Sequence, residues 1–263
     1  MDLGIKDRVA IVAAASKGLG RAVAEGLACE GAKVAICARN QAVLEKTAED
    51  IRQKTGVEVL AQPVDVTHYD EVRQFIAATL ARFGRVDICV TNAGGPPAKT
   101  FAETSVEDWQ MGFNLNFLST LYFAREVLPL MRKQRWGRLI TITSISVKQP
   151  IDGLILSNAI RAGVTGLVKS MANEHARDNV LINNVCPGSF LTDRARELAA
   201  NQATKEGVSP EIIVERNGKN VPLGRVGRPE EFANAVVFLA SERASYITGV
   251  SLAVDGGYIK GLY

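Results

Sequence analysis

The chain has 263 residues, 47% hydrophobic and 22% charged, with a net charge of +3 at pH 7. That is enough for one large core, read as one domain over 1–263, and too little charge to argue for a nucleic acid or a membrane surface as partner. His68 and His175 stand far apart with no second ligand beside either, so no metal site is expected. Cys29, Cys37, Cys89 and Cys186 form no C-x-x-C and read as reduced thiols of a cytoplasmic protein. The charged start M-D-L-G-I-K-D-R is no secretory signal, and no apolar run is of membrane-spanning length.

Strand and helix patterns alternate from the start. R-V-A-I-V-A-A (8–14) predicts a buried strand, 17–30 a helix, K-V-A-I-C-A (33–38) a strand and 41–54 a helix. Next come a strand over 57–64, a helix over 69–83, a strand over 86–91 and a long helical stretch over 106–134. R-L-I-T-I-T-S (138–144), a helix over 156–177, V-L-I-N-N-V-C-P (180–187) and a last strand over 250–255 complete the series. Continuous apolar strands between helices predict an α/β fold: a doubly wound parallel sheet of about seven strands, covered on both faces. The least regular segment, 190–229, holds Gly207, Pro210, Gly218 and Pro222. It mixes Arg194, Arg196, Glu197, Lys205, Glu211, Glu215 and Arg216, and reads as a mobile substrate lid.

After the first strand stands Ala13-Ala14-Ala15-Ser16-Lys17-Gly18-Leu19-Gly20. A small-residue turn between strand and helix lets the backbone approach a pyrophosphate, which the helix N-terminus then holds. This run resembles the T-G-x-x-x-G-x-G fingerprint of the short-chain dehydrogenase/reductase family, with Ala13 and Ala14 in place of its Thr and first Gly. An Ala in such a turn costs about 1 kcal/mol, more if its φ must be positive. The second strand ends in Ala38-Arg39, where an acidic residue would select NAD. A guanidinium there suits a 2′-phosphate, with Lys17 as a second cation, so NADP(H) is expected over NAD(H).

The resemblance runs from about Asp7 to Gly257. It implies an adenine contact at Asp65 and Val66, a cofactor-facing turn at Thr91-Asn92-Ala93-Gly94, and a nicotinamide cradle at Pro187, Gly188 and Thr192. It also implies four catalytic positions: Asn, Ser, Tyr and Lys. Ser144 falls at the Ser position. Asn116 best matches the Asn, with Asn114 a near alternative. Ser157 stands where the Tyr belongs and Arg161 where the Lys belongs.

An aliphatic hydroxyl is a poor acid without an adjacent base, and Arg does not deprotonate. Ser157 and Arg161 are four apart on a helix and so share one face toward the site; Arg161 is expected there, holding ribose hydroxyls or an anionic group. Ser144 and Arg161 would polarise the carbonyl, and water or Lys148, four residues after Ser144, would supply the proton, with Tyr246 and Tyr258 more remote candidates. The scaffold, which is 3-oxoacyl-carrier-protein-reductase-like, points to an oxidoreductase acting on a small carbonyl or alcohol with a modified proton relay. A non-redox lyase or isomerase, or a catalytically silent NADP(H)-binding protein, is the alternative. The apolar runs in 106–134 and 156–177, helices through which this family packs, imply a homodimer or homotetramer.

Overall fold

The computed structural model describes residues 2–262; Met1, Tyr263 and the side chains of Arg194 and Lys205 lie outside the described residues. Seven parallel strands form one sheet: β1 (Val9–Val12), β2 (Lys33–Ala38), β3 (Val59–Pro63), β4 (Ile88–Thr91), β5 (Gly137–Ile142), β6 (Val180–Pro187) and β7 (Ser251–Val254). Their order is β3-β2-β1-β4-β5-β6-β7. It reverses between β1 and β4, and at such a switch point a crevice opens beyond the carboxyl ends of the strands.

Alternation along β1 builds both faces. Ala10 and Val12 join a core with α1 (Gly18–Cys29), α2 (Gln41–Thr55) and α9 (Pro229–Ala240). Ile11 joins the opposite core, with α3 (Tyr69–Phe83), α5 (Ser119–Gln134) and α6 (Ile155–His175). Each fully buried Val, Leu or Ile contributes roughly 1.5–3 kcal/mol, and apolar residues on both faces are why these strands read as continuous apolar runs. Cys37 and Cys89 belong to the second core. Burial pushes the Cys37 thiol up to about 12, against a hydrogen bond with the Ala14 backbone, and raises Cys89 as well. Among the described residues no helix is long and apolar enough to cross a membrane.

Two expectations need revision. The stretch 106–134 is not one uniform helix: α4 (Val106–Phe113) and α5 are joined by a π-helical turn, Asn114–Leu118. The backbone stays in the right-handed helical region at Asn114 and Ser119, so the apolar period survives and hides the extra residue.

The segment 190–229 is not irregular either. It holds α7 (Asp193–Glu206), capped by Thr192, and α8 (Pro210–Lys219), begun by Pro210. These two helices share a small core of Ala199, Ala203 and Ile213. Gly207, read as a sign of irregularity, is the left-handed C-cap of α7. The segment's ends are fastened together: Phe190 bridges to Gly227, Leu191 N–H donates to Gly227 O at 2.8 Å, and Gly227 N–H to Ser189 O at 2.9 Å.

Candidate active site

A cleft of ≈ 590 Å³ lies beyond β1–β4. Its first wall is the turn after β1, with Ala14, Ser16, Lys17, Gly18 and Leu19; Arg39 and Asn40 follow β2, Asp65 and Val66 follow β3, and Asn92 to Gly95 follow β4. Thr192 closes it from above, packing so near Gly18 that a Cβ there would lie 3.4 Å from the Thr192 methyl. Gly20 lies beneath the turn instead. A Cβ on it would stand 2.4 Å from the Ala14 carbonyl, so only glycine lets the helix start this close. Pro187 and Gly188 also stay out of the cleft wall; Gly188 N–H donates to Val254 O at 2.9 Å, which ties β6 to β7.

Ala14 has φ +49. The turn holds a left-handed residue where the chain supplies a methyl group, which is the costlier of the two cases for an Ala at this position. Asn92 reaches the Ala14 carbonyl at 3.5 Å, and Thr47 Oγ1 donates to Ser16 O at 3.0 Å. Arg39 is exposed at the cleft edge. Against the upward push of burial, Thr67, His68 and Arg39 hold the Asp65 carboxyl below its usual range.

The chemical end lies where β5 and β6 finish and α6 begins. Ser144 caps a short 3-10 turn, Ile145–Val147, accepting from Ser146 N–H at 3.1 Å. Lys148 follows, half-buried. Ser157 is buried and hydrogen-bonds to Ser146 Oγ at 3.0 Å, not to Ser144. Ser146 was not singled out in the sequence; its place two residues after Ser144 was the signal. Asn158 pins the outgoing loop through two bonds with the Ile151 backbone, at 3.2 and 3.0 Å.

The π turn gives the two asparagines different surroundings. Asn114 is exposed, whereas Asn116 is buried and donates to Gly94 O at 2.9 Å. Arg161 is buried as well, and burial pushes its guanidinium down to about 10, against an upward influence of Cys186. Burial also raises the Cys186 thiol, opposed by hydrogen bonds from Thr143 and Asn184 and by the charges of Lys148 and Arg161. Both cations therefore act at the end of β6. Tyr246 is fully exposed on the surface, while Tyr69 packs against Tyr122 with ring centroids 5.1 Å apart.

Residues 13–259 match the family model described as enoyl-(acyl carrier protein) reductase. The 3-oxoacyl-[acyl-carrier-protein] reductase of Aquifex aeolicus is 34% identical over 98% of this chain and 99% of its own. The chain belongs to the short-chain dehydrogenase/reductase family. L-sorbose reductase from Gluconobacter frateurii, solved with NADPH and L-sorbose, superposes with a TM-score of 0.97 at 35% identity over 100% of both chains. An NADPH-bound short-chain oxidoreductase from Pseudomonas aeruginosa PAO1, described as containing an atypical catalytic center, does so at 0.89 and 34% identity, over 98% and 99%.

The cleft fits the dinucleotide of this family. The turn carries no side chain of its own at Gly18, the amino end of α1 lies at the cleft, and Lys17 and Arg39 place two cations on its wall.

Proposed function

We propose that this short-chain dehydrogenase/reductase is an NADP(H)-dependent reductase of a small carbonyl compound in which Ser144 polarises the carbonyl and Lys148 delivers the proton. NADPH supplies the hydride. The observation that carries the relay is a pairing: Ser157 is engaged with Ser146, while Lys148 stands half-buried one 3-10 turn beyond Ser144.

A ketone receiving hydride becomes an alkoxide and needs an acid beside a positive charge. A tyrosine phenol and a lysine ammonium have ordinary pKa values of about 10 and about 10.4. The ammonium attracts the developing alkoxide and, on handing over its proton, is left as a neutral amine. Ser144 orients the carbonyl oxygen, and Asn116 fixes the Gly94 peptide on the cleft floor.

The whole chain serves as one cofactor-binding domain, with 190–229 as the substrate lid hinged at the Phe190–Gly227 bridge. It works in the cytoplasm, consistent with four free cysteines. It assembles as a homodimer or homotetramer, supported by an apolar groove between α5 and α6 (Leu121, Leu128, Pro129, Leu167 and Met171) and by the open edge of β7 with Leu252 exposed.

The relatives' substrates, 3-oxoacyl thioesters and a ketose, define the first panel. NADPH oxidation is followed with both classes and with simple ketones and aldehydes. Turnover that collapses in Lys148→Met supports the assignment; NADPH binding without oxidation across the panel sinks it.

A further inference from the structure

Arg161 sits in the floor of the site, 7% exposed, and its donors are turned toward the ends of two strands. Nη1 donates to Thr143 O and, at 3.4 Å, to Ile142 O. Nη2 reaches Ala93 O and Gly94 O, each at 3.5 Å. These carbonyls stand at or just past the ends of β5 and β4. Asn116, 5% exposed, donates to the same Gly94 oxygen.

Two atoms remain over. Arg161 Nε, a donor, and Asn116 Oδ1, an acceptor, are buried without a hydrogen-bond partner among the described residues. Both residues border one small cavity of ≈ 10 Å³, together with Asn92, Thr120 and Thr143. That is about the room one water needs, in a polar setting that offers it partners.

We propose that Arg161 is a positioning residue: with a single ordered water bridging its Nε to Asn116 Oδ1, it clamps the ends of β4 and β5 and the π turn to one another, and it neither carries a proton nor holds the cofactor ribose. The planar guanidinium explains why this position holds Arg. Its fork spans carbonyls on two strands and leaves a further N–H for the cavity, whereas a lysine ammonium gathers its donors at one point. The clamp acts on the cofactor indirectly. Ala93 and Gly94 form the cleft floor, and Arg161 and Asn116 set those peptides from below. Only the turnover readout of this proposal rests on the reductase reading; its binding and structural readouts need no substrate.

The test is a crystal structure of the NADPH complex together with Arg161→Met and Arg161→Lys. The expected electron density shows one water within about 3.2 Å of both Nε and Oδ1, with the guanidinium still on the strand-end carbonyls. Arg161→Met is expected to lower the melting temperature by several degrees and to weaken NADPH binding roughly tenfold. Arg161→Lys should recover little of either, because an ammonium cannot span both strands. The midpoint of the pH profile for single-turnover reduction should stay at the wild-type value in every variant that turns over. A guanidinium found on the ribose, Arg161→Lys binding NADPH as well as wild type, or a displaced pH midpoint would each overturn the clamp. If Arg161→Met fails to fold, the complex structure and Arg161→Lys still decide. Failure of the clamp leaves the loss in Lys148→Met untouched, and failure of the Lys148 assignment leaves the melting and binding results standing.

Discussion

The two ends of the cleft have diverged from the family pattern in opposite ways. At the cofactor end the backbone carries the work: a turn after β1, peptides after β4, a helix N-terminus. There the departures from the fingerprint are small: Ala13 stands for a Thr, and Ala14 adds one methyl group at a Gly position. At the chemical end, on the proposed reading, the backbone is kept, with Ser144, Asn116 and the start of α6 in place, and the reactive side chains are the ones that differ. Binding a pyrophosphate needs shape and N–H groups, which tolerate few substitutions but seldom need a particular side chain. Moving a proton needs one group of suitable acidity within reach, and a neighbouring loop can supply it. The difference between the ends is therefore one of replaceability.

Lys148→Met is the sharpest way to break this comparison. The single-turnover rate of NADPH oxidation is expected to fall by roughly 10²–10⁴, the range of one general acid, with the NADPH Kd unchanged. Equal losses in rate and binding would mean that Lys148 belongs to the cofactor end. Next in size is Arg39→Ala. NADPH affinity should fall roughly tenfold, about 1.4 kcal/mol, while NADH affinity stays where it was, measured by cofactor fluorescence. A parallel fall for both cofactors would place Arg39 away from the 2′-phosphate.

Ala14→Gly tests the strain at the cofactor end. A non-glycine residue at φ +49 carries strain. Glycine relieves it while adding freedom to the unfolded chain. The net expectation is about 1 kcal/mol of added stability, a rise of a few degrees in melting temperature for a chain of this size, with NADPH bound more tightly. Unchanged melting with weaker binding would mean that the methyl group packs usefully against the cofactor.

How far each end was legible in the sequence follows the same division. The strands announced themselves because apolar residues fill both faces of a parallel sheet, and the turn at Gly18 and Gly20 sits in the required strand–turn–helix frame. The positive φ at Ala14 was foreseeable because the family pattern places Gly there. What could not be read was contact. Nothing in the spacing tells that Ser157 meets Ser146, or that Arg161 turns toward the carbonyls of Thr143 and Gly94. Such pairings depend on rotamers and on strand ends far apart in the chain. The π turn at Asn114–Leu118 escaped because one extra residue inside a continuous helical backbone scarcely disturbs the apolar period. In 190–229 the helices α7 and α8 were hidden by their polarity. They bury little beyond Ala199, Ala203 and Ile213, so the amphipathic signal is thin.

The smallest effect is a pH dependence at the edge of the cleft that Asp65 lines. His68 Nδ1 lies 2.7 Å from Glu71 Oε1 at the start of α3. The hydrogen bond to Glu71, then the charges of Glu71 and Asp65, raise His68 above its usual 6.5. The Asp65 backbone N–H and His68 lower the Glu71 carboxyl. A group raised in the folded state favours folding fully below its unfolded pKa, and the contribution is lost as pH climbs through the folded value. The carboxylate works the other way: its contribution is present above the ordinary 4.5 and lost as pH falls through the lowered value. The pair therefore stabilises the fold between the carboxylate and imidazole ranges and fades above neutrality. Both groups are solvent-exposed, so the effect is small and screened by salt. The melting temperature of His68→Gln should fall slightly below wild type at pH 5.5 and match it at pH 8.5. A deficit that persists at pH 8.5 would mean that His68 matters as the uncharged N-cap of α3, and that charge at this edge of the cleft does not reach the fold.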